Sequence, residues 1–275
     1  MQTADTALDE GHTMTRLSFV IPTRNRAAFL RTCIDCCLAQ AVPHSEIVVI
    51  DGLSTDDTVQ VLESYGARIR FLSERDAGQA DACNKGVRLA QGQVIAWLNS
   101  DDYYPHAGVL RRVMAAFDAA DDVDIVYGHG TMVDRERRPL KRFVTYPLSS
   151  PKAMTIPGRC FALQPAVFFK RELFLAVGGL DPSLHWAMDY DLWFRLFPQA
   201  RQVRFLDEDL ACAMAHADAK SVRGLLPQIR ELQQIKRRYL QHFDLGPHDW
   251  ARLLTGEAGL YAYWLAIRLG LWKVT

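Results

Sequence analysis

The sequence predicts an α/β fold: a mostly parallel central sheet flanked by helices, followed by a C-terminal helical extension. Three observations predict it. Apolar runs of strand length alternate with segments of helical periodicity through the first half of the chain. The runs are apolar almost without a break, as strands covered on both faces of a parallel sheet are. Three of them end in polar residues before a helix, which gathers polar groups along one rim of the sheet, where open α/β sheets bind ligands.

The elements follow in order. Leu17–Ile21 is the first strand; it runs into Pro22-Thr23-Arg24-Asn25-Arg26 and a helix from Ala27 to Gln40. Glu46–Ile50 is the second strand, and Asp51 stands at its end. Gly52 permits a tight turn there, and Ser54 or Thr55 is suited to cap a helix from about Asp56 to Tyr65. A strand over Arg68–Leu72 and a helix over Gln79–Ala90 come next. The strand Gln93–Leu98 then breaks into Asn99-Ser100-Asp101-Asp102. A helix over Ala107–Ala119 and a strand over Asp124–Tyr127 complete a doubly wound, Rossmann-like pattern.

The pattern then changes. Thr131–Tyr146 is charged and reads as a hairpin or excursion, and Pro147–Pro165, with four prolines, as loop. Ala166–Phe169 is a buried type of strand, and Arg171–Val177 a short helix stopped by Gly178-Gly179. Met188–Phe197 is a helix ended by Pro198; Val203–Leu206 and Leu210–Ala215 read as two strands. From Leu225 onward the chain is helical, broken at Gly246-Pro247.

The acid pair Asp101-Asp102 has two readings. Two hard oxygen donors at a strand end suit Mg2+ or Mn2+ with a diphosphate, because such ions take few protein carboxylates and keep room for phosphate oxygens. The alternative is an acidic turn capping the next helix.

Composition narrows the function. Thirty-two basic residues balance thirty-two acidic ones in 275, and a pI near 7.1 argues against a nucleic-acid binder, which carries a basic face. Cys33, Cys36 and Cys37 resemble a metal-binding CxxC but fall on one face of the first helix with no partner motif, so core packing is the expectation. Six cysteines read as free thiols fit a reducing cytoplasm. Met1–Arg16 is polar, has no signal-peptide core and reads as a disordered leader. No apolar stretch reaches the ~20 residues of a membrane-spanning helix. The nearest, Ala258–Trp272, carries Arg268. Leu260, Tyr261, Trp264, Leu265 and Trp272 make it a candidate for peripheral membrane contact at the inner face or for self-association, against packing on the main domain.

Six segments occur in the order of a known family: Phe19–Arg26, Val48–Asp56, Asp76–Gly86, Trp97–Asp102, Gly178–Asp181 and Met188–Trp193. On these the chain resembles an inverting glycosyltransferase of family 2 with the GT-A fold, over roughly Leu17 to Ser221. The resemblance implies a 1–16 leader, a 17–221 GT-A domain and a 222–275 helical extension. It implies a nucleotide-sugar donor, with a UDP-sugar expected, and a saccharide or lipid-linked acceptor. Pro22, Thr23 and Asn25 would lie beside the base, and Asp51 would accept a hydrogen bond from it. Arg75 and Asp76 would open the segment lining the donor. Asn99-Ser100-Asp101 stands in the place of the DxD motif, with Asp101 at the metal, Asp102 sharing that work and Asn99 turned to the ribose. Asp189 falls at the catalytic base, and His216 near a histidine that some relatives place at the diphosphate or metal. Asn99 for the first Asp and Met188 for the acid that often precedes the base are departures from the pattern.

The chemistry is that of a single displacement. A divalent ion neutralises the departing diphosphate, and a carboxylate takes the acceptor proton, worth roughly 10²–10⁴-fold. Other readings stay open for several groups. Asp189 could cap its helix, and Asp191 could be the base or a substrate contact; the two cannot face one way on a helix. His216 could be an ordinary histidine, Trp186 and Tyr190 a sugar platform or core, and Gln164 a substrate contact or a loop amide. The whole-chain alternative is a catalytically inactive glycosyltransferase-like binding or assembly subunit. A nicotinamide dehydrogenase is excluded, since the first strand is followed by Pro-Thr-Arg-Asn-Arg rather than a glycine fingerprint.

Overall fold

All seven residues of β1 (Leu17–Thr23) are buried, as are the last five of β2 (Ser45–Asp51) and all of β4 (Val94–Trp97). Such strands are stable only with helices on both faces, and each fully buried aliphatic side chain contributes ~1.5–3 kcal/mol. The computed structural model describes residues 15–148, 160–215 and 224–242, with scattered positions between 246 and 265. Of the leader expected over 1–16, all but the last two residues lie outside that range, as does His216.

Eight strands form one sheet in the order β3-β2-β1-β4-β7-β5-β6, with β8 (Gln202–Met214) also paired to β5. Here β3 is Arg70–Ser73, β5 Val123–Val133, β6 Pro139–Phe143 and β7 Val167–Lys170. Pairs β1–β2, β2–β3, β1–β4 and β5–β8 are parallel; β4–β7, β5–β7 and β5–β6 are antiparallel. The helices are α1 (Ala27–Leu38), α2 (Thr58–Glu63), α3 (Gln79–Leu89), α4 (Val109–Asp118), α5 (Arg171–Ala176), α6 (Met188–Leu196) and α7 (Leu225–Leu240). One apolar cluster gathers α1 and α4 on one side of the sheet, and a second gathers α3, α5, α6 and α7.

Several elements differ from the sequence reading. The strand after α4 does not stop at Tyr127 but runs through Gly128-His129-Gly130 to Val133 and turns back as β6, the hairpin expected for the charged stretch. The two strands expected over 203–206 and 210–215 are one, because Asp207-Glu208-Asp209 stays extended while register shifts in the pairing at Gly128–Gly130 absorb the mismatch. Neither Ser54 nor Thr55 caps α2. Asp56 accepts the Thr58 N–H at 3.0 Å, with its other oxygen on the Ala27 N–H at 3.2 Å.

The boundary expected at 221–222 lies outside the described residues, and α7 beyond it packs on the rest of the chain. Ile229, Leu232 and Ile235 of α7 are buried, the last two in the cluster that holds Trp193. Beyond α7 little is described. Leu254 and Leu265 are exposed, and Tyr261, 39% exposed, bonds Gln233 at 3.1 Å. Leu260, Trp264, Arg268 and Trp272 lie outside the described residues. Among described residues no helix is long and apolar enough to cross a membrane. All six cysteines are free, with Cys33 and Cys37 in the core as expected.

Candidate active site

The C-terminal ends of β1 and β4, the N-termini of α3 and α6, the strand ends of β5, β6 and β8, and the first turn of α7 surround a cavity of about 480 Å³. That is ample for a sugar nucleotide's reacting end. Of the residues singled out from sequence, Pro22, Thr23, Asp76, Asn99, Ser100, Asp101, Asp102, Gln164, Trp186 and Asp189 line it. Residues from Pro22 to Asp189 thus meet at one place.

The turn after β4 is a network of amides. Asn99 Oδ1 accepts from Gln79 Nε2 at 2.6 Å, and Asn99 Nδ2 donates to Gln164 Oε1 at 2.9 Å and Asp102 Oδ2 at 3.0 Å. Gln164 Nε2 donates to the Trp97 carbonyl at 2.7 Å. Both ends of the Gln164 amide are therefore engaged by protein, which fits a brace beneath the turn better than the substrate contact considered from sequence. Cys33 Sγ, on α1, reaches the Asn99 carbonyl at 3.4 Å from below.

Asp102 is 5% exposed, and its Oδ1 accepts the Met214 N–H at 3.1 Å, joining the turn to the end of β8. Burial pushes its carboxyl well above the usual carboxylate range, and the charge of Asp101 adds to the push. Asp101 is the more open of the pair. Two adjacent carboxylates that repel one another in a cavity wall are a donor set that a dication relieves, so the residues fit a divalent ion held chiefly by Asp101. Among the described residues no group of three or more His, Cys, Asp or Glu side chains gathers for a metal, so the remaining coordination would fall to ligand oxygens and water.

Thr23 ends β1 opposite Asp51, and among the described residues its buried Oγ1 has no partner. Asp76 lies across from it, with its carboxylate filling the space beside Gly52. A Cβ at Gly52 would crowd the Asp76 carboxylate, so a larger residue there would require that side chain to shift. Asn25, Asp51 and Arg75 do not line the cavity. Asn25 stands at φ 52° and accepts the Thr55 N–H at 2.7 Å, pinning the loop after β1 to the loop after β2. Asp51 is fully buried and accepts from Ser54 N at 3.1 Å, from Ser54 Oγ and from Ser73 Oγ at 2.6 Å. Its carboxylate ties the end of β2 and the loop after it to the end of β3. Arg75 is exposed, and its carbonyl accepts from Lys85 at 2.8 Å.

Asp189 comes from the first turn of α6. Its Oδ1 accepts the Tyr190 N–H at 2.8 Å, and Cys160 Sγ lies 3.9 Å from Oδ2. Burial, then the Asp189 charge, push the Cys160 thiol well up, so it stays protonated beside the carboxylate. Asp189 does not cap its helix: Ala187 is the N-cap.

Asp191 is a correction to the sequence reading of a substrate contact. It is 1% exposed, with Oδ2 bound to Arg195 at 2.7 Å and Oδ1 to Arg238 at 3.2 Å and Tyr239 Oη at 3.1 Å. Two residues along a helix turn it by about 200° from Asp189, into the α6–α7 contact. Tyr190 is buried and packs edge-on against Phe194, which makes it core. Trp186 lines the cavity, with its ring lying on Gly224, where a Cβ would stand 1.9 Å from the ring.

The sequence reading gave no site role to Arg24, Arg26, Gln79, Cys160 and Gln228, all on the cavity wall. Arg24 and Arg26 flank motif residues already singled out, and Gln79 lies inside the Asp76–Gly86 segment. Cys160 and Gln228 carried no local signal, because only tertiary packing brings them there.

Known proteins resemble this chain in sequence and in fold. Residues 18–177 match the profile of glycosyl transferase family 2. An uncharacterized glycosyltransferase of Rickettsia prowazekii is 29% identical over 236 residues, which cover 82% of this chain and 71% of that protein. Chondroitin synthase of Escherichia coli is 28% identical over 183 residues, 66% of this chain and 26% of that one. Among solved structures, S. aureus TarS 1-349 in complex with UDP-GlcNAc is similar with a TM-score of 0.67 at 19% identity, covering 86% of this chain and 70% of that one. Mannosyltransferase PcManGT from Pyrobaculum calidifontis, in complex with GDP-Man and Mn2+, gives 0.63 at 19%, covering 89% and 69%. With the profile matched over more than half its length, the chain belongs to glycosyl transferase family 2 and is a glycosyltransferase of the GT-A fold.

Proposed function

We propose that the protein moves a sugar from a nucleotide-sugar, a UDP-sugar in the first instance, to a hydroxyl of a saccharide or lipid-linked acceptor with inversion at the anomeric carbon. The observation that carries the reading is the convergence of the Asn99–Asp102 turn and Asp189 on one cavity from two distant parts of the chain. Mn2+ or Mg2+ held by Asp101 would supply neutralisation of the departing diphosphate. Thr23 and Asp76 orient the nucleotide, and the partnerless Thr23 hydroxyl suits a ligand hydrogen bond. Asn99, braced by Gln79 and Gln164, presents a fixed turn to the ribose and phosphates. Asp189 takes the proton of the acceptor hydroxyl at Oδ2, while Oδ1 stays fixed by the Tyr190 N–H.

A UDP-sugar is supported by TarS, which is seen with UDP-GlcNAc; PcManGT is seen with GDP-Man and Mn2+, which keeps a GDP-sugar as the second candidate. Thermal-shift measurements with UDP-, GDP- and dTDP-sugars in Mn2+ decide between them, because a ligand that binds the native state raises its melting temperature. Stabilisation by UDP-sugars with Mn2+, and release of UDP on adding an acceptor, is the expected result. Stabilisation without turnover for any donor or acceptor would instead make the chain a binding subunit.

A further inference from the structure

Glu231 of α7 accepts three consecutive backbone N–H groups: His185 at 2.9 Å on Oε1, and Trp186 at 2.7 Å and Ala187 at 2.9 Å on Oε2. A row of successive N–H groups ahead of a helix is an anion site, reinforced by the positive end of the helix dipole. Here the chain fills that site with its own carboxylate. The helix so capped is α6, whose N-cap Ala187 has no side chain to do the work, and Asp189 is its second residue.

We propose that Glu231 is a positioning residue for the reaction, fixing the backbone that aims Asp189 into the cleft. The inference rests on the reading of Asp189 as the base. The other side of Asp189 is held from the same helix: Arg238 and Tyr239 bind Asp191, two residues further on. The α7 helix therefore grips the base-bearing turn before and after the base. Gln228, one turn ahead of Glu231, lines the cavity, as does Trp186, whose N–H is the shortest of the three bonds. What α7 needs for docking comes from buried Ile229, Leu232 and Ile235. Glu231 adds a fixed geometry at the acceptor side. Among the described residues, its hydrogen bonds go to residues 185–187 and none to β1, β2 or β4.

The test is steady-state kinetics of the full-length protein. The donor is whichever UDP-, GDP- or dTDP-sugar the wild type turns over fastest with Mn2+, followed by nucleotide release. Glu231→Ala is expected to lower kcat roughly ten- to a hundredfold, as small misplacements of a reacting group do, with donor KM within about twofold. Glu231→Gln keeps acceptance at one oxygen but sets an amide N–H against a backbone N–H, so its kcat should fall between the two. Glu46→Gln is the stability control. Glu46 binds Ser18 and Gln91 at the far ends of the strands, and its loss should lower the melting temperature with kcat unchanged. Should Glu231→Ala not fold, Glu231→Gln alone decides. Wild-type kcat in Glu231→Gln, or in a folded Glu231→Ala, while Asp189→Asn is inactive, overturns the inference and leaves the base reading intact. Normal turnover in Asp189→Asn, or no turnover of any donor by the wild type, overturns the base reading and the inference with it.

Discussion

The side-chain amide of Asn99 donates to Asp102 Oδ2 at 3.0 Å, so the residue that departs from the family's first acidic position supports the carboxylate three places on. An aspartate there would face a buried carboxylate already pushed toward its protonated form by burial and by Asp101. It would also leave Gln164 Oε1 without its donor. Asn99→Asp should cost about 1–3 kcal/mol without metal, the usual cost of stranding buried polar groups. For a chain of this size that is roughly 2–4 °C of melting temperature per kcal/mol. Adding Mn2+ should narrow the gap, since a third carboxylate strengthens the ion's site. Scanning calorimetry with EDTA and with Mn2+ checks both; equal melting temperatures in EDTA would show the amide network to be idle.

Asp101 and Asp102 should separate by what they lose. Asp101→Ala should abolish the metal-dependent part of UDP binding at near-normal stability, because Asp101 is the more open of the two. Asp102→Ala should be milder on UDP affinity but cost stability, because it strips the Met214 N–H of its acceptor and Asn99 of one of its own. Calorimetric titration with UDP in Mn2+ and in EDTA, paired with melting curves, measures the two effects. Undiminished metal-dependent affinity in Asp101→Ala would remove Asp101 from the metal.

Much of the wall built by the first strands was legible in the sequence for a physical reason. β1, β2 and β4 are buried on both faces, so their sequences are continuous apolar runs, and the polar residues that end them must lie at the sheet rim. The opposite wall obeys longer-range rules. β7 inserts antiparallel between β4 and β5, a pairing with no local signature. Asp207–Asp209 reads as a turn but stays in β8, where strand pairing overrides local propensity. In the sequence Asp191 reads as a candidate site residue and Glu231 as an ordinary acid of an amphipathic helix. Only the meeting of α6 with α7 makes one a buried ion-pair centre and the other a cap.

The pair Asp124–Arg201 gives a pH signature away from the cleft. Burial works to raise the Asp124 carboxyl, but the Arg201 guanidinium at 2.6 Å and the Arg201 N–H at 2.8 Å outweigh it and hold it below its ordinary value of 3.8. A carboxyl whose folded-state value is depressed stabilises the fold above its unfolded value, and that stabilisation is lost as pH falls through the folded value. Arg201→Met should therefore lower stability at pH 7, by no more than about 1 kcal/mol since Arg201 is largely exposed. Its difference from wild type should close as pH drops below 3.8. Urea melts across that range test it; a difference independent of pH would assign the loss to packing.

Asp189 and Asp191 are two residues apart on α6 and should fail in opposite ways. Asp189 lines the cavity, with one oxygen fixed by Tyr190 N–H and the other near the Cys160 thiol. In the proposed mechanism Asp101 and Asp102 stay with the metal at the leaving group, so the acceptor proton goes elsewhere, and Asp189 is the cavity carboxylate that comes from a different element. Asp189→Asn keeps the shape and removes the basicity. Turnover should fall by roughly two or more orders of magnitude, with donor affinity and melting temperature little changed. Asp191→Asn removes the charge that Arg195 and Arg238 share in a buried contact. It should cost about 1–3 kcal/mol of stability, as mismatching a buried hydrogen-bonding group does, because the two guanidinium groups left behind reach solvent. Part of its turnover should survive at temperatures where the protein stays folded. Nucleotide release at 15 °C beside melting curves separates the two. An inactive but fully stable Asp191→Asn, with Asp189→Asn active, would move the base by two residues and require α6 to present its other face to the cleft.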